Sequence, residues 1–160
     1  MTVTLKAAVV VASNRAAAGI YADETGPLIV AWLVAEGLSC ADPVVVPDGA
    51  PVGEAISSAV ADGARVVLTT GGTGLTPTDL TPDVTRPLLD REVPGIAEAI
   101  RGFGVANGVE TAMLSRGVAG VIGSCLVVNL PGSRGGVKDG LAVLAPVLRH
   151  AVEQIVGSDH

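Results

Sequence analysis

Thr70-Gly71-Gly72-Thr73-Gly74 directly follows the apolar run Arg65–Thr70 (RVVLTT). Glycines so dense let a backbone approach a ligand closely and turn its N–H groups toward an anion. In an open α/β sheet, ligands bind beyond the carboxyl ends of the strands, which is where this loop belongs. The chemistry that suits these residue types is phosphate binding. The bland alternative is a tight turn from strand to helix, and the loop taken alone divides evenly between the two. No Gly-Lys-Ser/Thr follows at the spacing of a P-loop. Pro77 stands where a dinucleotide-binding loop has its third glycine.

The acids nearby tilt the balance toward a ligand. Asp79 and Asp83 lie in Thr78-Asp79-Leu80-Thr81-Pro82-Asp83, and Asp48 sits past an earlier strand, on the same expected sheet edge. Carboxylates repel a phosphate unless a cation lies between them. Mg²⁺ is the natural bridge, because it takes one or two carboxylates plus phosphate oxygens. Asp48 and Asp79 are read as functional acids and Mg²⁺ ligands, with a turn role as the alternative for Asp48. Asp83 is read as a charge at a helix start. A second loop, Asn129-Leu130-Pro131-Gly132-Ser133, also leaves a strand and enters a helix. Ser133 either caps that helix or bonds an anion; Arg134 and Lys138 read as solvated charges. Ser115-Arg116 sets a hydroxyl beside a guanidinium, the pattern of a phosphate clasp.

The elements that must position these residues can be read from periodicity. Leu5–Ala12 reads as a buried strand and Ser13–Glu24 as a loop. Gly26–Gly37 reads as a helix and Pro43–Val46 as a short strand ending in the Pro47-Asp48-Gly49 turn. Over Pro51–Asp62, the residues Val52, Ala55, Ile56, Ala59 and Val60 form one helical stripe, with Gly63 at the C-terminal cap. Strand Arg65–Thr70 completes a β-α-β-α-β alternation, which predicts a parallel sheet covered by helices. Thr81-Pro82-Asp83 reads as a helix start with Thr81 as the capping hydroxyl and its dipole end near the glycine loop. Pro94–Phe103 is a further helix. Gly117–Leu130 reads as two strands in a hairpin broken at Gly123-Ser124. Val137–Val156 is the last helix, kinked or delayed by Pro146. The expected fold is a single α/β domain over residues 1–160, a three-layer α/β/α sandwich with a mostly parallel, mixed sheet.

Composition narrows the partners. Of the 160 residues 49% are apolar and only 2% aromatic, so the core is built from Val, Leu, Ile and Ala. A net charge of −6 argues against nucleic acid, which needs a positive field. Cys40 and Cys125 read as reduced thiols, and with His150 and His160 they make no familiar zinc spacing. His160 reads as a frayed end. Lys6 followed by Ala7–Ala12 mimics a signal peptide but is too short for one, and no run is long enough for a membrane helix. A cytoplasmic protein with no membrane partner is expected.

Leu68–Gly74 followed by Asp79–Asp83 resembles the signature of the molybdopterin-binding family. Asp90-Arg91-Glu92-Val93-Pro94-Gly95, Leu114-Ser115-Arg116 and Asn129–Ser133 match it in order, and the resemblance covers essentially the whole chain. The likeness is strongest to bacterial Mog-type molybdopterin adenylyltransferases. It implies Mg²⁺, with ATP and molybdopterin as substrates, and attack of the molybdopterin phosphate on the α-phosphate of ATP to give adenylyl-molybdopterin and pyrophosphate. It implies a homo-oligomer, a trimer with hexamers among B-type relatives, and a molybdenum insertase downstream. By position it makes Asp79 the essential acid and Asp48 the second functional acid. Gly71, Gly72, Thr73 and Gly74 become phosphate contacts, and Ser115, Pro131, Gly132 and Ser133 substrate-binding residues. The alternative within the family is a B-type carrier that binds molybdopterin with little adenylyl transfer. One departure stands out: Ser13-Asn14-Arg15 occurs where relatives often carry Ser-Asp-Arg. An amide oxygen at Asn14 still coordinates a cation, but without charge.

Overall fold

The computed structural model describes residues 4–20 and 22–157; His160 lies outside them. Strand β1 (Lys6–Ala12) runs parallel to β4 (Val66–Thr70), and β4 runs parallel to β7 (Cys125–Leu130). On the other side of β1, β2 (Ser39–Cys40) and β3 (Val44–Val46) pair with it end to end. Pro43 lies between these two strands; it has no N–H to give the ladder, so the edge is interrupted there. β6 (Ala119–Ile122) turns back antiparallel on β7, and β5 (Arg91–Glu92) closes the far edge antiparallel to β6. The seven strands form one mixed, mostly parallel sheet in the order β2/β3-β1-β4-β7-β6-β5.

The sheet is buried on both faces, and its side chains divide with period two. Val9 and Val11 of β1, Val66 and Leu68 of β4, and Leu126 and Val128 of β7 face one helical layer. That layer is α2 (Thr25–Ala35), α5 (Pro94–Ala106), α6 (Arg134–Leu144) and α7 (Leu148–Ile155). Val10, Ala12, Val67 and Val127 face the other way, onto α3 (Ala50–Ala61) and the side chains that follow α4 (Thr81–Thr85). Each fully buried Val, Leu or Ile contributes about 1.5–3 kcal/mol, so both layers are held by aliphatic burial with almost no aromatic help. This is the expected three-layer α/β/α arrangement.

Several local expectations change. Residues 14–17 are not loop but a short helix, α1 (Asn14–Ala17), with Ser13 as its N-cap accepting from the Ala16 N–H at 3.1 Å. The dipeptide strands β2 and β5 are too short to show periodicity. Thr81 is not a cap: Leu80 holds that position without a side-chain bond, and Thr81 lies inside α4. The last helix starts earlier, at Arg134, and Pro146 breaks it into α6 and α7 rather than kinking it. The hairpin is as expected, with Ile122 opposite Cys125 and Gly123 at φ +57° in the turn.

Cys125 is buried, and that burial pushes its thiol up to about 12. Cys40 is half-buried, with its thiol raised by the same cause. No disulfide joins them.

A polar residue inside this aliphatic sheet is fully satisfied. Asn129 on β7 is 4% exposed; its Nδ2 donates to Thr69 Oγ1 at 2.9 Å and Thr85 Oγ1 at 3.2 Å. Its Oδ1 accepts from the Val118 N–H at 3.1 Å. Asn129→Leu adds apolar volume yet strips partners from two hydroxyls and an amide, each worth about 1–3 kcal/mol when buried and unmet. Urea unfolding should show the variant less stable by at least about 2 kcal/mol. An unchanged midpoint would mean that this network carries no stability.

Candidate active site

Every carboxyl end of β1, β3, β4 and β7 opens on one edge, and the predicted residues collect there. Thr70 ends β4 and its Oγ1 donates to Pro131 O at 2.7 Å, which joins the first glycine loop to the second. Gly71 follows at φ +88°, and a Cβ there would run into the carbonyl oxygen of Ala12 on the neighbouring strand. Gly132 lies against it, since a Cβ on Gly132 would stand 3.2 Å from Gly71 Cα. Gly72, at φ +69°, has no room either: a Cβ would meet Asp48 Oδ2 and Thr81 Oγ1. A Cβ on Gly74 would sit 2.8 Å from Asp79 Oδ2. The two predicted acids therefore bracket the loop, Asp48 against Gly72 and Asp79 against Gly74.

The loop's polar groups are sorted by direction. Gly71 N–H donates to Leu130 O at 3.3 Å and is committed to the fold. The next carbonyls all point into the protein. Gly72 O accepts from the Thr81 N–H at 3.1 Å, Thr73 O from the Arg116 N–H at 2.8 Å, and Gly74 O from Arg116 Nε at 3.1 Å. The N–H groups of Gly72, Thr73 and Gly74 have no acceptor among the described residues. Successive unspent amides on a positive-φ turn are the arrangement that receives an anion. The expected helix dipole comes from elsewhere. The start of α4 is spent on Gly72 O, whereas α6 begins at the second loop, beside Gly71, with Ser133 Oγ accepting from Gly136 N–H at 3.0 Å.

Asp48 is held rigidly. Its Oδ1 accepts from the N–H of Gly49 at 2.7 Å, the N–H of Leu80 at 3.2 Å and the Thr81 hydroxyl at 3.3 Å. Its own N–H donates to Asn14 Oδ1 at 3.0 Å. The amide oxygen considered for a cation is thus engaged with the Asp48 backbone, and Asn14 acts as a support. Asp79 Oδ2 accepts from the N–H of Thr76 at 3.0 Å and its hydroxyl at 2.7 Å. Asp48 Oδ2 and Asp79 Oδ1 take no hydrogen bond among the described residues. No group of three or more His, Cys, Asp or Glu among the described residues could hold a metal unaided. Two carboxylates with free oxygens still suit Mg²⁺, which draws its remaining ligands from phosphate and water.

Arg116 does not form the phosphate clasp suggested by its sequence. Its guanidinium bonds Gly74 O, Asp79 O at 2.6 Å and Asp83 at 2.9 and 3.2 Å. Asp83, read as a helix-start charge, is its ion-pair partner, and the guanidinium holds that carboxyl below the usual carboxylate range. Arg116 is itself raised, first by the bond to Asp83, with charge from Asp79 and Asp48 adding to it. Neighbouring Ser115 Oγ accepts from Gly117 N–H at 3.3 Å.

Two cavities flank the loop. One, of about 530 Å³, is lined by Gly71, Gly72, Gly132 and Ser133 with Asp23 and Glu24. The other, of about 640 Å³, is lined by Thr73, Gly74, Ser115, Pro131 and Ser133 with Asp139. Ser133 reaches both. All of the predicted residues thus fall in or beside one two-lobed cleft. Thr70 and Asp139 line it and were not among the residues read as functional. A threonine closing an apolar strand and an acid one turn into α6 were the only signals available.

Fold and loop together define an α/β protein with an anion-receptive glycine turn at the carboxyl ends of its parallel strands. Comparison with known proteins specifies it: the chain belongs to the family of probable molybdopterin binding domains, which matches residues 8–150. It is 41% identical over 155 residues to a molybdenum cofactor biosynthesis bifunctional protein of Synechococcus elongatus, covering 96% of this chain and 48% of that one. It is 40% identical over 148 residues to a molybdopterin adenylyltransferase of Haemophilus influenzae, covering 88% and 73%. The solved molybdopterin biosynthesis Mog protein of Mycobacterium ulcerans superposes with a TM-score of 0.93 at 49% identity, covering 98% and 100%. The chain spans about half the length of the bifunctional relatives.

Gly72→Ala places a methyl group on Asp48 and Thr81 in a conformation that disfavours any side chain. Strain of about 1–3 kcal/mol should move Asp48 or the loop. Calorimetric titration with Mg-ATP should show affinity lowered about tenfold or more, while the circular dichroism spectrum stays native. Unchanged affinity would remove Gly72 from the site.

Proposed function

We propose that the chain is a molybdopterin adenylyltransferase that acts in molybdenum cofactor biosynthesis. The observation that carries this reading is the set of unspent amides at Gly72, Thr73 and Gly74, bracketed by Asp48 and Asp79 between two cavities. Two ligands that must exchange a phosphoryl-type group need this arrangement, one lobe each and a shared anion seat.

The larger cavity suits the pterin. Its walls include Ile100, Val109 and Leu114, and Asp139 offers a carboxylate to the paired N–H donors on the ring's aminopyrimidinone edge. Without an aromatic neighbour the ring is held by hydrogen bonds. The smaller cavity, with Asp23, Glu24 and Thr25, offers acceptors for ribose hydroxyls. The phosphates meet at the loop, where Ser133 borders both lobes. The molybdopterin phosphate oxygen forms a bond to the α-phosphorus of ATP, the bond to the bridging oxygen breaks, and pyrophosphate leaves. No protein nucleophile takes part. The amides hold phosphate oxygens, Ser115, Pro131, Gly132 and Ser133 shape the seat, and Asp48 and Asp79 would hold Mg²⁺. That ion would supply neutralisation of phosphate charge.

Residues 1–160 act as one domain in this reading, in the cytoplasm and as a homotrimer. Among the described residues no helix is long and apolar enough to cross a membrane. The β5 edge is two residues long and borders a cavity of about 490 Å³ with α7, which suits a subunit contact. A molybdenum insertase is the downstream partner.

The test is pyrophosphate release from Mg-ATP with and without molybdopterin, with the product identified by mass. Release that depends on molybdopterin and yields the adenylylated pterin is expected. Asp79→Ala should lower that rate at least about a hundredfold with the fold intact, a loss typical of removing a charge-stabilising group. Tight molybdopterin binding without pyrophosphate would identify a B-type carrier instead.

A further inference from the structure

We propose that Arg116 is the positioning residue that sets the anion seat: its guanidinium holds the carbonyls of Gly74 and Asp79 inward, which turns the Leu75 and Leu80 amides the other way and fixes the Asp79 carboxylate against the glycine loop. This rests on the phosphate-binding reading of the loop and extends it to a residue that touches no phosphate.

A peptide unit has its C=O and N–H on opposite sides, so fixing one fixes the other. The carbonyl of Thr73 determines where the Gly74 amide points. It is held by the main-chain N–H of Arg116 at 2.8 Å, a bond that survives replacement of the side chain. The carbonyl of Gly74 is held by Arg116 Nε at 3.1 Å, and the carbonyl of Asp79 by Nη2 at 2.6 Å. One residue thus clamps both ends of the 74–79 segment and sets the distance between the loop and the Asp79 carboxylate. Glycine at 74 gives this segment no stiffness of its own.

Arg116 is in turn anchored from behind. Arg101 Nη1 on α5 donates to Ser115 O at 3.3 Å and Gly117 O at 3.0 Å, gripping the backbone on either side of it. Asp83 accepts from both terminal nitrogens of Arg116 and orients its fork. The ion pair is open to solvent, with side chains 36% and 52% exposed, so its direct contribution to stability is small. The geometry of the guanidinium is what matters. Nε and Nη2 are fixed in one rigid plane and reach two carbonyls at once; an ammonium is a single point and cannot.

The test compares Arg116→Lys, Arg116→Gly and Asp83→Asn with the wild type. Hydrogen exchange read by mass spectrometry over residues 72–80 and calorimetric titration with Mg-ATP are the readouts. In Arg116→Lys, exchange should accelerate in 72–80 and not in β1 or β7, and Mg-ATP affinity should fall about tenfold. Asp83→Asn keeps both carbonyl bonds and should stay within about threefold of wild type. Guanidinium ion at low millimolar concentration should restore Mg-ATP affinity to Arg116→Gly, and ammonium should not. Wild-type affinity in Arg116→Lys, or unchanged exchange in 72–80, overturns the proposal, as does rescue by ammonium. None of these readouts uses adenylyl transfer. A wild type that binds Mg-ATP but releases no pyrophosphate sinks the transferase and leaves Arg116 standing.

Discussion

Three consecutive carbonyls, of Gly72, Thr73 and Gly74, are turned into the protein and bonded there. The rest of the site depends on this. With the carbonyls bonded to Thr81 and Arg116, the amides of Gly72, Thr73 and Gly74 have no acceptor among the described residues and are open to a ligand. Close packing makes the arrangement rigid. Gly71 lies on Ala12 O and Gly72 on Asp48 with space only for hydrogen, and a Cβ on Gly132 would stand 3.2 Å from Gly71 Cα. The glycines are required here by contact as much as by backbone angle.

The sheet explains why these pieces meet. Parallel strands β1, β4 and β7 place the loops that follow them on one edge, and Asp48 arrives there by the same rule after β3. Helical layers on both faces leave only strand ends open. Charge is then balanced locally. One oxygen of Asp48 is spent on amides and a hydroxyl, and Arg116 stands among Asp48, Asp79 and Asp83, so a chain of net charge −6 can present a seat for phosphate.

Much of this was legible in the sequence because it is local. Period-two and helical stripes gave α3, β4 and the hairpin to within a residue or two, and Gly71–Gly74 with Asp48 and Asp79 marked the right edge. What escaped depends on contacts distant in sequence. Thr81 follows the pattern of a cap, yet its hydroxyl goes to Asp48, 33 positions away. Arg116 looks like a free phosphate ligand until its carbonyl partners, 42 and 37 positions earlier, are seen. Asn14 reads as a weakened metal ligand, but its oxygen meets the Asp48 backbone 34 positions on. The family resemblance named the candidate residues, and the structure shows what each one touches.

On this reading the amides after Gly71 form an anion seat. The most direct measurement is the shift of backbone amide resonances in ¹⁵N-labelled protein titrated with Mg-ATP. Large, saturable shifts are expected at Gly72, Thr73 and Gly74, and a smaller one at Gly71, whose N–H is already bonded to Leu130 O. Saturable binding that leaves Gly72, Thr73 and Gly74 unmoved would contradict it and place the phosphates elsewhere.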